Sequence, residues 1–235
     1  MLKCKPRPVI VLTFDDGTFM QYIIIKSAKM IFDIPSTLFL ITGLLVHPHT
    51  GEMLLISRSE KIKELARLGV EIASHTHTHR DLTTLSIEEV EKELIKSKLF
   101  IKKITGIIPV GFAYPYGRYN DLVRKYVLKH YKYARIYDFK INTELSDLST
   151  ISSVGVEALK VITYLVYWLL KMCRMPNVEI KRKMLIILVF HSPKAFIDLF
   201  VVVLAFIFIV FLKIFGGMLF LTLKDAINTL SYGRC

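Results

Sequence analysis

The stretch VIVLTFDDGTF, residues 9–19, places two adjacent aspartates and a glycine directly after an apolar run. The run is rich in β-branched residues and lacks polar alternation, which predicts a strand buried on both faces. Asp15 and Asp16 repel each other, and a buried carboxylate is costly unless a cation or hydrogen-bond donors offset its charge. The stretch therefore predicts a strand that leads into a polar site.

The rest of the chain alternates between apolar strands and amphipathic helices. Further strands are predicted at 36–42, 70–75, 110–115 and 185–190. Helices are predicted at 20–32, 60–69 and 121–131, and a capping box from Ser86 to Glu89 opens another. This alternation with short connections indicates an α/β fold with a parallel sheet. The length of 235 residues suits one domain over 1–235, in which 192–235 completes the fold.

Composition limits the classes of partner. The net charge is +12, but the basic residues are scattered and no nucleic-acid-binding motif accompanies them, so no nucleic-acid partner is predicted. Cys4, Cys173 and Cys235 lie far apart and suggest no disulfide framework. The N-terminal residues do not resemble a signal peptide, so a cytoplasmic location is predicted.

The segment 199–223 is the most apolar part of the chain. Its first 14 residues, 199–212, carry no charge, and that length fits a buried helix better than a membrane span. Only Lys213 separates them from the apolar residues that follow. Association with a membrane surface, through this segment or through the basic face, therefore stays open.

A second polar cluster, SHTHTHRDL at residues 74–82, also follows an apolar strand. In a helical turn, His75 and His79 would share one face and could bind one metal ion. In an extended segment, His75, His77 and His79 would all point the same way. The two geometries predict different ligand sets, and the spacing alone does not choose between them.

The two polar clusters are predicted to meet. The carboxyl ends of parallel strands in α/β folds face one crevice, where binding sites form. One carboxylate and two imidazoles would leave open positions on a zinc ion, as catalytic sites require. The second carboxylate would then be free to act as a base, and the cation would offset the repulsion between the two aspartates.

Four motifs resemble those of the polysaccharide deacetylases, carbohydrate esterase family four. They are TFDDG at 13–17, HTHTH at 75–79, FAYPYG at 112–117 and LVFH at 188–191. The resemblance implies a distorted (β/α) barrel, typically of seven strands. It also implies a hydrolase of non-peptide carbon–nitrogen bonds that removes acyl groups from N-acetylated amino sugars in a polysaccharide or glycoconjugate.

The resemblance also implies a ligand set for the metal. Carried over residue by residue, Asp16, His75 and His79 would hold Zn²⁺ or another divalent metal such as Co²⁺. His77 lies between the ligand positions of the family and is not expected to bind.

The resemblance further implies the catalytic roles. Asp15 would be the general base that activates water, and His191 would be the general acid that protonates the leaving amine. The backbone N–H of Tyr116 would stabilise the oxyanion. Tyr116 also has a simpler interpretation as a turn residue between Pro115 and Gly117.

The chain departs from the family pattern at two places. Many members carry an arginine that pairs with the catalytic base where this chain has Ala113, and Arg80 or Arg118 are the candidates to replace it. The acidic, tryptophan-containing fourth motif has no counterpart, and Trp168 lies in a segment that reads as core. Two further functions therefore stay open: hydrolysis of a small non-sugar amide, and glycan binding by an inactive barrel.

Overall fold

The computed structural model describes residues 8–156, 184–191, 205, 207–214 and 218–232. The strands are β1 (Val9–Asp16), β2 (Ser36–Leu40), β3 (Glu71–Ser74), β4 (Gly111–Ala113), β5 (Tyr133–Arg135), β6 (Val154–Gly155), β7 (Leu185–Phe190) and β8 (Leu219–Phe220). The helices are α1 (Phe19–Phe32), α2 (Ser59–Arg67), α3 (Ile87–Thr105), α4 (Asp121–His130), α5 (207–214) and α6 (Leu223–Tyr232).

The strands form one parallel sheet in the order β5-β4-β3-β2-β1-β7-β6. β8 pairs with the first residues of β1. The chain just before β6 also bonds to β5, because Ile151 forms a parallel bridge with Arg135. The segment 151–155 therefore links the two ends of the sheet and curls it. The predicted distorted (β/α) barrel is confirmed, with seven strands in the main order and β8 as an addition.

Both faces of the sheet are buried, which explains the missing polar alternation in β1. Val9 and Val11 pack inside the curled sheet. Ile10, Leu12 and Phe14 pack on the outside in a separate cluster that includes residues of α1 and α2. Since successive strand residues point to opposite faces, an apolar core on each side demands an uninterrupted apolar run.

Most of the predicted elements are present, with small shifts at their ends. The capping box of α3 is confirmed, and a second one, from Thr18 to Gln21, opens α1. β2 ends at Leu40, two residues earlier than predicted. The short strands β5, β6 and β8 were not predicted from the sequence.

Parts of the C-terminal prediction lie outside the described residues, namely Trp168, 199–204, 206 and 215–217. Within 199–223, residues 207–214 are helical. No helix in the described part of the chain has the length and apolar character needed to cross a bilayer.

Candidate active site

The polar side chains gather at the carboxyl ends of the strands, around a cavity of about 480 Å³. β1 supplies Asp15 and Asp16, and the residues that follow β3 supply His75 and His79. Arg135 ends β5, and His191 directly follows β7. The sheet therefore brings together side chains that are up to 176 residues apart in sequence, as from Asp15 to His191.

The adjacent aspartates both reach the cavity because the backbone changes direction between them. Asp15 has the inward parity of Val9 and Val11 on β1, whereas a regular strand would direct Asp16 outward. Asp16 instead adopts a left-handed backbone with φ 80°, and Gly17 follows with φ 83°. A non-glycine residue at positive φ costs free energy and persists only where the surroundings enforce it. This local conformation places both carboxylates at the mouth of the same cavity.

Asp16, His75 and His79 form a group that could hold a metal ion. One ligand atom from each lies within 4.8 Å of the other two. Nε2 of His75 is 3.2 Å from Nε2 of His79, and Oδ1 of Asp16 is 3.7 and 3.8 Å from these two nitrogens. His75 Nδ1 lies 2.9 Å from the carbonyl oxygen of Ala113, so its N–H donates there and its lone pair is on Nε2. Two imidazoles and one carboxylate suit zinc.

The electrostatics of the group also suit metal binding. Burial lowers the pKa of His75, and it lowers the pKa of His79 to about 3 with a further contribution from the neighbouring His75. Both rings are therefore neutral over the physiological range, which is the form that binds metals. Nδ1 of His79 is buried and has no hydrogen-bond partner among the described residues.

The segment between the two histidines is an irregular turn, neither a helix nor a strand. Thr76 and His79 have φ 68° and 57°, and the His79 N–H donates to Thr76 Oγ1 at 2.9 Å. Glu93 of α3 accepts hydrogen bonds from the backbone N–H groups of His77 and Thr78, at 2.8 and 2.7 Å. His77 turns away toward Thr42 and stays outside the Asp–His–His group. The turn therefore brings His75 and His79 together, as a helical turn would, but with a different backbone geometry.

Asp15 pairs with Arg135 rather than with Arg80 or Arg118. The guanidinium of Arg135 donates to both carboxylate oxygens, and both side chains are almost fully buried. Arg80 pairs with Glu89 and Arg118 with Asp81, so neither of these two candidates pairs with Asp15. Arg80 and Arg118 lie on connections outside the sheet, whereas Arg135 ends β5 and points inward.

Arg135 stands beside the position where the family pattern has its arginine. Ala113 of β4 and Arg135 of β5 are direct partners in the parallel ladder. Partners in a ladder point to the same face of the sheet. The positive charge is therefore present inside the barrel, one strand away from Ala113.

The charge state of Asp15 follows from its ion pair with Arg135. Burial alone would raise the pKa of Asp15, but the Arg135 guanidinium and the hydrogen bond from His191 hold that pKa well below its usual range. His191 Nε2 lies 3.5 Å from Asp15 Oδ2, and the ring is one-third exposed. Asp15 thus lies, ionised, between Arg135, the Asp–His–His group and His191.

Tyr116 lies in the turn after β4 and packs against His79. Its ring centroid is 4.8 Å from that of His79, and its hydroxyl donates to the His79 carbonyl oxygen at 3.3 Å. Its backbone is left-handed, with φ 59°. Tyr116 can therefore be a turn residue of PYG and also belong to the site.

Sequence reasoning missed two histidines as well as Arg135. His47 and His49 lie on the connection after β2 and line the cavity. His47 Nε2 is 3.5 Å from Asp16 Oδ2. Burial would raise the pKa of Asp16, but the neighbouring His47 and His75 lower it. The HPH pattern at 47–49 was the available signal, and it lies outside the four motifs.

Comparison with known proteins agrees with this geometry. A family model for polysaccharide deacetylases matches residues 2–134. Chitin deacetylase 1 of Cryptococcus neoformans is 31% identical over 130 residues, covering 53% of this chain and 24% of the relative. The peptidoglycan deacetylase of Helicobacter pylori is 30% identical over 76 residues, covering 32% and 26%. The chain thus spans about a quarter of the length of these two curated relatives.

Solved structures share the fold. The Streptococcus pyogenes deacetylase PplD in complex with acetate is 25% identical with a TM-score of 0.54, covering 60% of this chain and 62% of that one. The Xyl-CE4 domain of a multidomain xylanase from the hindgut metagenome of Trinervitermes trinervoides is 21% identical with a TM-score of 0.62, covering 95% and 91%. The family model matches more than half of the chain, and the chain therefore belongs to the polysaccharide deacetylase family.

Proposed function

We propose that this protein is a metal-dependent hydrolase that removes N-acetyl groups from amino sugars of a polysaccharide or glycoconjugate. One observation carries the proposal: the ionised carboxylate of Asp15 lies between a buried guanidinium, an Asp–His–His group and the imidazole of His191. This arrangement supplies a base, an acid and a set of metal ligands within one cavity.

Asp16, His75 and His79 would hold the metal, and Zn²⁺ or Co²⁺ fits their donor atoms. When bound, such an ion polarises an amide carbonyl and lowers the pKa of water. The bond from His75 Nδ1 to the Ala113 carbonyl leaves the lone pair of His75 Nε2 available for the metal.

Asp15 would act as the general base and His191 as the general acid. Asp15 accepts a proton from the water that attacks the amide carbon. His191 donates a proton to the departing nitrogen, which leaves poorly as an amide anion. Arg135 keeps Asp15 ionised and oriented, and the partly exposed ring of His191 can exchange protons with solvent.

The backbone N–H of Tyr116 would donate to the oxyanion that forms when water attacks. Preorganised donors of this kind are often worth about 10²–10³ in turnover each. The position of Tyr116 against His79 supports this role, since the reacting carbonyl must lie close to the metal ligands.

The names of the relatives and the shape of the cavity support the proposed substrate class. Relatives are named as chitin and peptidoglycan deacetylases. The cavity is lined by Tyr114, Tyr116 and Tyr137, and an aromatic wall suits the apolar face of a sugar ring. A small non-sugar amide would leave much of this space unfilled.

Acetate release from N-acetylated chitin oligomers tests the proposal. We expect turnover by the metal-loaded protein, its loss on chelation and its return when Zn²⁺ or Co²⁺ is added. Asp15→Asn should abolish turnover and retain the metal, whereas His75→Ala should lose the metal. Asp121→Asn, a change at an exposed helix residue, is the matched control and should leave turnover unchanged.

The outcomes separate the alternatives. Turnover of simple acetamides but not of oligomers would indicate a small-amide hydrolase. Binding of oligomers without acetate release under any metal would indicate an inactive barrel. Full activity of Asp15→Asn would show that the base is assigned wrongly.

A further inference from the structure

His47 is a buried histidine for which the proposed reaction has no step. It lies on the connection after β2 and is 6% exposed. Nδ1 of His47 accepts hydrogen bonds from the backbone N–H groups of His49 and Thr50, at 3.3 and 3.1 Å. A nitrogen that accepts two N–H groups carries no proton in the neutral ring. The proton of neutral His47 is therefore on Nε2.

Nε2 of His47 faces Asp16. His47 Nε2 lies 3.5 Å from Asp16 Oδ2, whereas Asp16 Oδ1 faces the Nε2 atoms of His75 and His79. The two oxygens of one carboxylate are thus divided between His47 and the candidate ligand group. A distance of 3.5 Å is long for a hydrogen bond, but such contacts commonly tighten when a site is filled.

Asp15 and Asp16 also have different partners. Asp15 is paired with Arg135, which does not serve Asp16. Two buried, adjacent carboxylates repel each other, and each needs a separate compensating donor. Among the described residues, no guanidinium pairs with Asp16, and His47 is the group that faces its Oδ2 atom.

We propose that His47 is a positioning residue that holds the Asp16 carboxylate through its Nε2–H and so presents Oδ1 as a single ligand oxygen to the metal. Partners of this kind fix the orientation of ligands, and their loss typically weakens metal affinity by about 10- to 100-fold. His47 is not itself a ligand in this scheme. Coordination through Nε2 would require a proton on Nδ1 and the loss of both hydrogen bonds from the loop.

The inference rests on the proposed metal site, so the experiment measures metal affinity rather than turnover. Metal-free protein competes with a chromophoric chelator for Zn²⁺, and Co²⁺ absorption reports the ligand set. We expect His47→Ala to bind Zn²⁺ about 10- to 100-fold more weakly, with an unchanged Co²⁺ spectrum. His47→Gln should recover most of the affinity, because its amide nitrogen can occupy the place of Nε2.

His49→Ala is the matched control. His49 lies two residues away on the same connection, but it bonds to the Tyr116 hydroxyl and not to Asp16. Its loss should change the Zn²⁺ affinity by less than the loss of His47 does. Urea denaturation of each metal-free variant checks that the fold is retained.

Each other outcome overturns a specific statement. If the unaltered protein binds no Zn²⁺, the proposed function fails together with this inference. If it binds Zn²⁺ and His47→Ala binds equally well, only the inference fails. A changed Co²⁺ spectrum would make His47 a ligand. Equal losses in the alanine and glutamine variants would assign His47 to loop packing.

Discussion

Replacing Arg135 by methionine tests the buried pair on which the base assignment depends. The side chains of Arg135 and Asp15 are 2% and 4% exposed, so water cannot take over when the guanidinium is removed. Removing one partner of such a pair typically costs about 3–5 kcal/mol. Arg135 also donates to Ser153 Oγ at 3.1 Å, which methionine cannot do. We expect the free energy of unfolding of Arg135→Met to fall by about 3–5 kcal/mol at neutral pH.

The loss should depend on pH, and its sign follows from Asp15. Arg135 and His191 overcome the effect of burial and hold the folded-state pKa of Asp15 below its unfolded value. The ionised pair therefore contributes stability above the unfolded pKa, and this contribution is lost as pH falls through the folded pKa. In Arg135→Met, burial is less opposed and the pKa of Asp15 rises. The difference from the unaltered protein should shrink toward acidic pH.

Urea denaturation of metal-free protein at neutral and mildly acidic pH measures both effects. A double-mutant cycle with Asp15→Asn isolates the coupling between the two side chains. The matched control is Arg118→Ala, which breaks an exposed pair with Asp81 and should cost less than about 1 kcal/mol. A loss below 1 kcal/mol for Arg135→Met, or simple additivity of the two single changes, would refute the reasoning.

Three further substitutions test residues outside the proposed catalytic and metal-binding set. Glu93→Gln should weaken Zn²⁺ binding in chelator competition and lower the free energy of unfolding by about 1.5–3 kcal/mol, because the ligand turn loses a charged acceptor. Gly155→Ala would place a methyl carbon 1.9 Å from the Tyr137 hydroxyl oxygen. Urea denaturation should show that the free energy of unfolding falls by about 1–3 kcal/mol. Adding Tyr137→Phe should recover part of this loss, because it removes the hydroxyl. Burial raises the pKa of Glu71, so its contribution to stability is full below the unfolded pKa and is lost as pH rises through the folded pKa. Glu71→Gln cannot ionise, and its stability relative to the unaltered protein should therefore increase in urea denaturation as pH rises above the unfolded pKa of a glutamate.

Elements with strong local signals could be predicted from the sequence. β1 and β7 are long apolar runs, and α3 carries its own start signal at Ser86 and Glu89. These signals act within a few residues of chain, so no tertiary contact is needed to detect them. The strands β6 and β8 are only two residues long, and they exist because the neighbouring strands bond to them.

The residues of the candidate site also fall into two groups, those that sequence motifs predict and those that they do not. Asp15, Asp16, His75 and His79 lie in two compact motifs, each placed directly after an apolar strand, and the structure brings them together. His47 lies outside these motifs, and only the HPH pattern at 47–49 marks it. Its place beside Asp16 depends on the path of the connection after β2, which two backbone hydrogen bonds to its ring hold in position. Tertiary geometry of that kind leaves no periodic pattern in the sequence.

Arg135 shows most clearly what a motif cannot reveal and what a sheet register can. The base needs a cation inside the barrel, and two neighbouring strands offer a position for one. Ala113 and Arg135 are ladder partners, so a side chain from either strand starts on the same face of the sheet, and the guanidinium of Arg135 reaches Asp15. A motif specifies a position along the chain, whereas the chemistry requires only a charge at a point in space. Ala113→Arg combined with Arg135→Ala should therefore recover part of the activity that Arg135→Ala alone loses, measured as acetate release. No recovery in a folded double variant would mean that the two strand positions are not equivalent.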